Sequence, residues 1–403
     1  MQRVKRSGDQ PTLRVAPGLE AALRSGHPWL YRNHLPEHRL KGGEWVRVEA
    51  GRAAAYGLYD ANGAIGVRLF GPERLTPAAL ARRVEEALEL RAELPSAGND
   101  AYRLLHGEGD FLPGIVCDRY GRYAVMKSYA PSLDALLPDV AKEIGTRLRL
   151  KGVVLRSDRD DSGGDEAEDG GRPAHDLTAL WGEVPPPELT VSENHLRFVA
   201  DPWHGQKTGM FLDQRDNRQL VRSLAAGRRV LNLFAYQGGF SVYALAGGAR
   251  SVVSVDVSRA ALGAAEENVR LNGSFEGEHS ALAADVFASL PVWAEAEPRY
   301  DLVILDPPSL ANAVTQRRRA WRAYLKLNRD ALRLVAPGGL LVTSSCTAQV
   351  GPEAFKEVVA EAALAAGVRA QVVAENGHAI DHPVPLSFPE GRYLKFLALR
   401  VLA

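Results

Sequence analysis

The pattern of apolar residues changes at about Thr190. Beyond it, continuous apolar and β-branched runs alternate with segments of helical spacing. Four of these runs are Val230–Phe234, Val252–Val255, Leu302–Leu305 and Leu340–Thr343. Continuous apolar strands separated by helices are typical of a parallel sheet covered on both faces. The carboxy-terminal half is therefore predicted to form a doubly wound α/β domain.

The amino-terminal part, from residue 11 to about residue 72, carries shorter runs that are broken by glycine. Trp45–Val48, Ala53–Tyr59 and Ala64–Phe70 are predicted strands, with glycine-containing turn signals between them. Up to Leu75 the chain has 12 Lys and Arg residues against 7 acidic residues. We therefore expect a small β domain that is locally basic.

A mixed α/β segment lies between these two parts. Leucine and alanine recur at helical spacing from Pro77 to about Leu94, and Thr76 is the predicted N-cap. The segment 157–176 lacks large apolar residues and is rich in glycine and acidic residues. It is therefore predicted to be a disordered acidic loop.

Overall composition fits a soluble globular protein of two or three domains. The chain has 403 residues, of which 46% are hydrophobic, and its 49 Lys and Arg residues balance 49 Asp and Glu residues. Its 2 cysteines cannot form a disulfide framework, and no apolar run is long enough to cross a bilayer. We expect a cytoplasmic protein with no membrane contact and no metal site.

Several polar residues follow the predicted strands, where open α/β sheets bind their ligands. The first strand runs into Tyr236 and the pair Gly238-Gly239, and the second ends in Asp256, whose carboxylate can accept hydrogen bonds from a ribose. Asp285 follows a third strand, within reach of an adenine amino group. The glycines do not match GxGxxG, so we expect S-adenosylmethionine, which has a ribose and no pyrophosphate. The alternative is that the glycines only shape a tight turn.

The next two strand ends carry candidate catalytic residues. Asp306 precedes two prolines, a frequent arrangement in methyltransferases that act on nucleic-acid bases, and Cys346 follows the last of the four runs. A ring nitrogen has a lone pair for methylation, whereas carbon 5 of a pyrimidine becomes nucleophilic only after a thiolate adds to carbon 6. Cys346 therefore favours methylation at carbon 5. Cys117, inside an apolar run, is expected to be a buried core residue.

Several sequence blocks in the same order resemble the large-subunit ribosomal RNA cytosine-5 methyltransferases that carry an N-terminal PUA RNA-binding domain. The resemblance covers nearly the whole chain. The blocks are RLLHGEGDFLPGIVCDRYG (103–121), GQKTGMFLDQRDNR (205–218), LNLFAYQGGFSV, DPPSL, SSCT, DHPV and FPEGRYLK.

This resemblance implies three domains: a PUA domain at 1–75, a small α/β domain at 76–188, and a Rossmann-like class I methyltransferase domain at 189–403. It also implies that Cys346 is the nucleophile and that Asp306 holds the polar edge of the cytosine. The residues implied beside S-adenosylmethionine are Lys207, Asp213, Gln214, Arg215, Phe234, Tyr236, Gly238, Asp256, Asp285 and Asp306.

The segment 316–326 is the candidate RNA contact, because its basic residues can pair with phosphates. These residues are Arg317, Arg318, Arg319, Arg322 and Lys326. Its Trp321 and Tyr324 either stack on unpaired bases or pack inward from an amphipathic helix. His382 is expected to fix a loop rather than to take part in catalysis.

The expected reaction is methyl transfer from S-adenosylmethionine to carbon 5 of a cytosine in large-subunit (23S) ribosomal RNA. The alternatives are methylation of a ring nitrogen or guanine, and methylation of uracil at carbon 5. Generic members of this methyltransferase fold often carry an acid where Asn232 stands, although the resembled family tolerates Asn there. Many RNA cytosine-5 methyltransferases also use a second cysteine where this chain has Ser309, so the base that removes the carbon 5 hydrogen stays open. The oligomeric state stays open, with a homodimer as one alternative.

Overall fold

The computed structural model describes residues 6–7, 10–157, 175–295, 299–311 and 313–402. Within them, three main sheets follow one another along the chain, and a two-stranded hairpin separates the second sheet from the third. No helix in this part of the chain is both long and apolar enough to cross a bilayer.

The first sheet has six strands in the order β1-β2-β4-β5-β6-β3. Alternate residues of β4 are buried, as expected for a strand with one face on a core. The three strands predicted here are confirmed with small shifts of their ends, whereas the short helix α1 was not predicted. The elements are β1 (Arg6–Ser7), β2 (Gln10–Arg14), α1 (Glu20–Ser25), β3 (Trp29–Tyr31), β4 (Trp45–Ala50), β5 (Ala53–Tyr59) and β6 (Ile65–Gly71).

The second sheet has five strands in the order β11-β10-β9-β8-β7. The predicted cap of α2 is confirmed, since the Thr76 hydroxyl accepts a hydrogen bond from the Ala79 N–H at 3.2 Å. The helix ends at Leu90 rather than at Leu94. The guanidinium of the next residue, Arg91, forms a buried ion pair with Asp110. The elements are α2 (Pro77–Leu90), β7 (Ala101–His106), β8 (Ile115–Tyr120), β9 (Tyr123–Ser128), α3 (Leu137–Arg147), β10 (Gly152–Ser157) and β11 (Asp176–Gly182).

The predicted acidic loop falls mostly on residues 158–174, which lie outside the described residues. Its two ends are strand residues and not loop residues, because Ser157 and Asp176 are paired partners in the β10–β11 ladder. The loop prediction is therefore corrected at these ends.

The third sheet has seven strands in the order β16-β15-β14-β17-β18-β20-β19, and β20 is the one of these strands that runs opposite to the others. Helices lie between its parallel strands, so the predicted doubly wound α/β architecture is confirmed. The hairpin strands before it are β12 (Leu189–Glu193) and β13 (Leu196–Ala200). The elements that follow are α4 (Arg215–Leu224), β14 (Arg229–Leu233), α5 (Gly239–Ala246), β15 (Ser251–Asp256), α6 (Arg259–Leu271), β16 (Glu278–Ala283), α7 (Val286–Trp293), β17 (Tyr300–Leu305), α8 (Arg317–Leu334), β18 (Val335–Ser345), α9 (Pro352–Ala366), β19 (Arg369–Asn376) and β20 (Lys395–Leu402).

The first and second sheets share part of their apolar core. Leu58 and Phe70 of the first sheet belong to the same buried cluster as Leu80 of α2 and Leu104 of β7. The predicted domain boundaries after residues 75 and 188 stay predictions, since this core continues across the first of them.

A buried polar network joins the second sheet to the third. The carboxylate of Asp381 accepts hydrogen bonds from the Arg103 N–H at 2.8 Å and from Arg215 Nη1 at 2.9 Å. Its backbone carbonyl accepts one from Arg91 Nη2 at 2.7 Å. The loop that carries Asp381 is therefore fixed against the second sheet.

Candidate active site

The candidate active site lies at the carboxyl edge of the third sheet. Strand order reverses between β14 and β17, and a crevice at such a point is where doubly wound sheets bind ligands. Asp256 ends β15, Asp306 follows β17, and Cys346 follows β18. Because β14, β15, β17 and β18 are parallel neighbours, the side chains predicted from their ends lie along one edge.

The turn after β14 has an unusual backbone. Phe234 (φ +60°) and Tyr236 (φ +47°) are non-glycine residues in the left-handed region, and Gly238 has φ +71°. A Cβ atom at Gly238 would lie 2.7 Å from the Cβ of Ala265, so only glycine fits there. Such strain clusters where the chain must approach a ligand closely.

The Asp256 carboxylate is held in place by two backbone donors. It accepts hydrogen bonds from the Tyr236 N–H at 2.8 Å and from the Ser258 N–H at 3.0 Å, which leaves lone pairs for further donors. Two apolar side chains near this end of the sheet remain exposed, Val257 at 72% and Phe287 at 40%. Acceptors for ribose hydroxyls and apolar surface for a flat base suit a nucleoside, so these residues fit S-adenosylmethionine.

Asp285 lies at the start of α7, exposed to solvent. Its carboxylate accepts a hydrogen bond from the Phe287 N–H at 2.8 Å, which makes it the N-cap of that helix. The ring of Phe287 lies 5.3 Å from the ring of Phe234, between centroids. The structure therefore gives Asp285 a structural role that the sequence did not predict, and a contact to adenine remains a prediction.

Lys207 and Asp213 form an ion pair in the segment before α4. Asp213 Oδ2 accepts hydrogen bonds from Lys207 Nζ at 2.9 Å and from the Tyr393 hydroxyl at 2.8 Å. Burial opposes ionisation, but the Lys207 ammonium holds the pKa of Asp213 well below its usual range. Asp213 Oδ1 is buried with no hydrogen-bond partner among the described residues, so it suits a donor on a bound ligand.

Gln214 and Asp306 are in direct contact. Gln214 Nε2 lies 3.1 Å from both carboxylate oxygens of Asp306, and Asn217 donates to Gln214 Oε1 at 2.6 Å. Asn217 therefore fixes the amide of Gln214 with its NH₂ group towards Asp306. Burial, together with the negative charge of Asp213, raises the pKa of Asp306 to about 7. This carboxyl group can act as a donor or as an acceptor near neutral pH.

Cys346 is partly buried in a turn that is tied to three other parts of the domain. Thr347, the next residue, accepts a hydrogen bond from the Leu310 N–H at 3.0 Å through its hydroxyl, which also lies 2.7 Å from the hydroxyl of Tyr324. Its carbonyl accepts one from Lys395 Nζ at 2.7 Å. Burial, and next the charge of Asp306, raise the pKa of Cys346 to about 11, so the free protein holds a thiol and not a thiolate at neutral pH.

The basic residues predicted to contact RNA lie on one exposed face of α8, and Ser309 is exposed near Asp306. The neighbouring aromatic residues behave differently. Tyr324 is fully buried in the core, and Trp321 is partly buried and donates to Glu361 at 3.1 Å. Stacking of Tyr324 on RNA bases is therefore wrong, because its ring packs inward as the amphipathic alternative predicted. The exposed basic residues are Arg317, Arg318, Arg319, Arg322 and Lys326.

Three further predictions can be placed. Arg215 is fully buried, and its guanidinium binds Asp381 and Asp216, so its predicted place beside the cofactor stays a prediction. His382 is buried with Nδ1 at 3.0 Å from Asp381, which is a loop-fixing contact. Cys117 is fully buried in the core of the second sheet, as predicted.

Across the described residues, no group of three or more His, Cys, Asp or Glu side chains is arranged for a metal ion.

Four residues of the site were not singled out from the sequence: Asn217, Thr347, Tyr393 and Lys395. Thr347 lies in the block SSCT, and Tyr393 and Lys395 lie in the block FPEGRYLK. The blocks include the segments that carry these residues, but the hydrogen bonds that the residues form depend on how distant parts of the chain pack.

The strand order, the glycine turn after β14 and the carboxylate that ends β15 define an S-adenosylmethionine-dependent methyltransferase. The family model with that description matches residues 171–376, and a PUA-like domain model matches residues 13–71. The chain belongs more particularly to the family of ribosomal RNA large subunit methyltransferases, as its relatives show. The predicted cofactor, S-adenosylmethionine, and the predicted PUA-like domain are thereby confirmed.

Two relatives carry that description. The ribosomal RNA large subunit methyltransferase of Deinococcus radiodurans is 41% identical over 401 residues, which covers 96% of this chain and 97% of the relative. The ribosomal RNA large subunit methyltransferase I of Klebsiella pneumoniae is 34% identical over 403 residues, which covers 97% of this chain and 98% of the relative.

Two solved structures have the same fold. A methyltransferase complexed with SAH superimposes with a TM-score of 0.83 at 22% identity, covering 97% of this chain and all (100%) of the other. A SAM-dependent methyltransferase from Streptococcus mutans superimposes with a TM-score of 0.82 at 22% identity, with the same coverage. At this identity the likeness shows the fold alone.

Proposed function

We propose that this protein transfers a methyl group from S-adenosylmethionine to carbon 5 of a cytosine in large-subunit ribosomal RNA, with Cys346 as the nucleophile. The observation that carries the proposal is the placement of a thiol and a carboxyl group on adjacent strand ends. Leu305, the last residue of β17, pairs with Thr343, two residues before the end of β18, so Asp306 and Cys346 follow the ends of adjacent parallel strands. The relatives' names supply the substrate class.

The reaction needs a thiolate and an electrophilic methyl group, and S-adenosylmethionine supplies the latter as a sulfonium. Cys346 Sγ loses its proton and forms a bond to carbon 6 of the base, which makes carbon 5 nucleophilic. Carbon 5 takes the methyl group, and the electron pair of the broken S–CH₃ bond stays on the sulfur of S-adenosylhomocysteine. Removal of the carbon 5 proton restores the ring double bond and expels Cys346 as a thiolate.

Asp306 and Gln214 are suited to the polar edge of the cytosine. A carboxyl group with a pKa of about 7 is present in both forms at neutral pH. The protonated form can donate to ring nitrogen 3, and the ionised form can accept from the exocyclic amine. Because Asn217 fixes the amide of Gln214, the orientation of Asp306 is fixed in turn.

We further propose that Asp213, Phe234, Tyr236, Gly238, Asp256 and Asp285 line the S-adenosylmethionine site, with Lys207, Gln214 and Asp306 at its inner end. Their positions at the ends of β14 and β15 and before α4 support this. The basic face of α8 is proposed to hold RNA phosphates, since its cations are exposed and none forms an ion pair with another described residue. The amino-terminal PUA-like domain is the second proposed RNA contact.

Two other reactions compete with this proposal. Methylation of a ring nitrogen or of guanine would use the same cofactor crevice and Asp306 but would leave Cys346 without a role. Methylation of uracil at carbon 5 would use the same thiol, but uracil has no exocyclic amine for the ionised carboxylate of Asp306.

The test is transfer of labelled methyl groups to ribosomal RNA that lacks the modification, with the methylated base identified afterwards. We expect wild type to form 5-methylcytosine and Cys346→Ala to form none, because carbon 5 is not nucleophilic without the covalent adduct. Binding of S-adenosylmethionine, measured by calorimetry, should stay within about twofold of wild type.

The matched control is Cys117→Ala, which removes the other cysteine, buried in the core of the second sheet, and should keep the methylation product. If Cys346→Ala methylates RNA as fast as wild type, the covalent mechanism is wrong and nitrogen methylation takes its place. Recovery of 5-methyluracil would instead assign the substrate to uracil.

A further inference from the structure

Lys395 is a buried cation that the proposed mechanism has not used. It lies at the start of β20, opposite Ser345 on β18, and is only 4% exposed. Its Nζ donates hydrogen bonds to the carbonyls of Thr347 and Tyr393, both at 2.7 Å. The residue before Thr347 is Cys346, so the amine reaches the turn that carries the thiol.

No carboxylate among the described residues forms an ion pair with Lys395. A buried ammonium without a counterion is costly, and the usual response is a shift towards the neutral amine. Burial accordingly lowers the pKa of Lys395 to about 8, and the one charge that opposes this is that of Cys346. In the reverse direction, the charge of Lys207 and then that of Lys395 lower the pKa of Cys346. The amine and the thiol therefore act on each other.

We propose that Lys395 is the positioning residue for Cys346: its two hydrogen bonds fix the turn that presents the thiol, and its charge stabilises the attacking thiolate. The assignment rests on the proposed covalent function of Cys346. It deepens that proposal by naming a second cation, after Lys207, that offsets the burial of the sulfur.

Other titratable groups near Cys346 and Lys395 also affect how the two residues ionise. Two of them do not titrate near pH 8. The pKa of Asp213 lies well below its usual range, and burial lowers the pKa of His378 to about 4. Asp306 ionises near pH 7 and will bend any profile of Cys346 reactivity there. Among the described residues, the titratable groups that act on Cys346 or Lys395 include Lys207, Asp213, Asp306, Tyr324 and His378, and Tyr393 contacts Lys395 through its carbonyl.

The pairing has a distinctive consequence for the proton balance. When the pair loses one proton, the remaining proton resides either on Nζ, leaving an ammonium and a thiolate, or on Sγ, leaving an amine and a thiol. The fraction of thiolate in this state is constant with pH until the second proton leaves. Thiolate reactivity should therefore rise with pH up to about pH 8 and then level off.

The experiment is alkylation of the full chain by iodoacetamide between pH 6.5 and 9.5, followed by mass spectrometry, without RNA or cofactor. Cys117 is fully buried, so Cys346 is the reactive sulfur, and Cys346→Ser supplies the blank. In Lys395→Met we expect a rate about tenfold lower at pH 7.5, the factor for one pKa unit, and no levelling at pH 8. Lys395→Arg keeps the charge and cannot deprotonate, so its rate should stay high and continue to rise through pH 8.

The matched control is Lys142→Met, an exposed lysine on α3, which should keep the wild-type profile. The bend caused by Asp306 near pH 7 is common to all variants, so the assignment depends on their differences at pH 8. Wild-type behaviour in Lys395→Met, or levelling in Lys395→Arg, would overturn it. If neither variant folds, the wild-type profile decides, because an uninterrupted rise through pH 8 contradicts the coupling.

This measurement does not depend on the identity of the methylated base. A protein that methylates a ring nitrogen can still show the coupled thiol and amine, which would leave the pairing intact while the proposed function fails. Conversely, formation of 5-methylcytosine together with an uncoupled thiol would overturn only the role of Lys395.

Discussion

Asp306 is a carboxyl group whose surroundings favour its protonated form. Burial and the nearby Asp213 raise its pKa to about 7 from the ordinary value of 3.8, so the folded protein binds this proton more tightly than the unfolded chain. Between about pH 4 and pH 7, unfolding therefore releases a proton, and stability falls as pH rises through that window. Above pH 7 the full cost of the ionised carboxylate remains.

We predict that Asp306→Asn becomes more stable relative to wild type as pH rises from 5 to 8. One pKa unit equals about 1.4 kcal/mol and Asp306 is only partly buried by exposed area, so the relative gain should be about 2 kcal/mol. Urea unfolding of both proteins without cofactor, at several pH values, measures it. A difference in unfolding free energy that does not change with pH would show that Asp306 ionises normally in the folded protein.

The positions of the candidate catalytic residues could be predicted from the sequence better than their contacts. Asp306 and Cys346 follow recognisable strands, so their placement at one edge could be expected from the fold class. The contact of Gln214 with Asp306 joins residues 92 positions apart, and the approach of Lys395 to Thr347 requires the antiparallel strand β20 to lie beside β18. Neither contact has a signal in local pattern, because each depends on how distant segments pack.

Secondary-structure elements meet closely at the turn from β14 into α5. Gly238 there combines a left-handed backbone with contact to α6. Gly227, in the loop before β14, has φ +70°, and a Cβ atom added to it would have no neighbouring atom within 4 Å. Substitution of Gly227 therefore tests the cost of backbone strain alone, whereas substitution of Gly238 adds a steric clash to that strain.

We predict that Gly238→Ala lowers the free energy of unfolding by about 2 to 4 kcal/mol and weakens S-adenosylmethionine binding at least tenfold, because α6 must move away from the turn. Gly227→Ala should cost only the backbone strain, about 1 kcal/mol, and keep wild-type affinity. Thermal unfolding and calorimetric titration measure both quantities. Equal effects of the two substitutions would contradict this prediction, because they would show that the clash with Ala265 affects neither stability nor affinity.

The elements predicted correctly are those with unambiguous patterns. The four apolar runs became β14, β15, β17 and β18, because strands buried on both faces have continuous apolar sequences. Strand β19 was missed since none of its residues is buried, and α1 was missed since it has only 6 residues. Short or edge elements owe their structure to their neighbours rather than to their own pattern.

At the scale of the whole molecule, Asp381 couples the second and third sheets. Although burial opposes it, His382 and Arg215 hold the pKa of Asp381 well below its usual range. Arg215 is fully buried and would lose its main counterion without this carboxylate.

We predict that Asp381→Ala lowers the free energy of unfolding by about 3 to 5 kcal/mol, the typical cost of stranding a buried charge. The matched control is Glu267→Ala, which breaks the exposed ion pair with Arg270 and should leave the free energy of unfolding nearly unchanged. Urea unfolding at neutral pH compares the two. A loss below about 1 kcal/mol for Asp381→Ala would show that Arg215 finds water or another acceptor.

The placement of the two cysteines also determines how the protein reacts with oxidants. Peroxide attacks thiolates rather than thiols, so a sulfur whose pKa is raised to about 11 is oxidised slowly in the resting protein. Cys117 is sealed in another core, so a sulfenic acid formed at Cys346 has no internal thiol to condense with and must be repaired by a small thiol from outside. The surroundings that keep Cys346 a thiol in the resting protein therefore also protect it from oxidation.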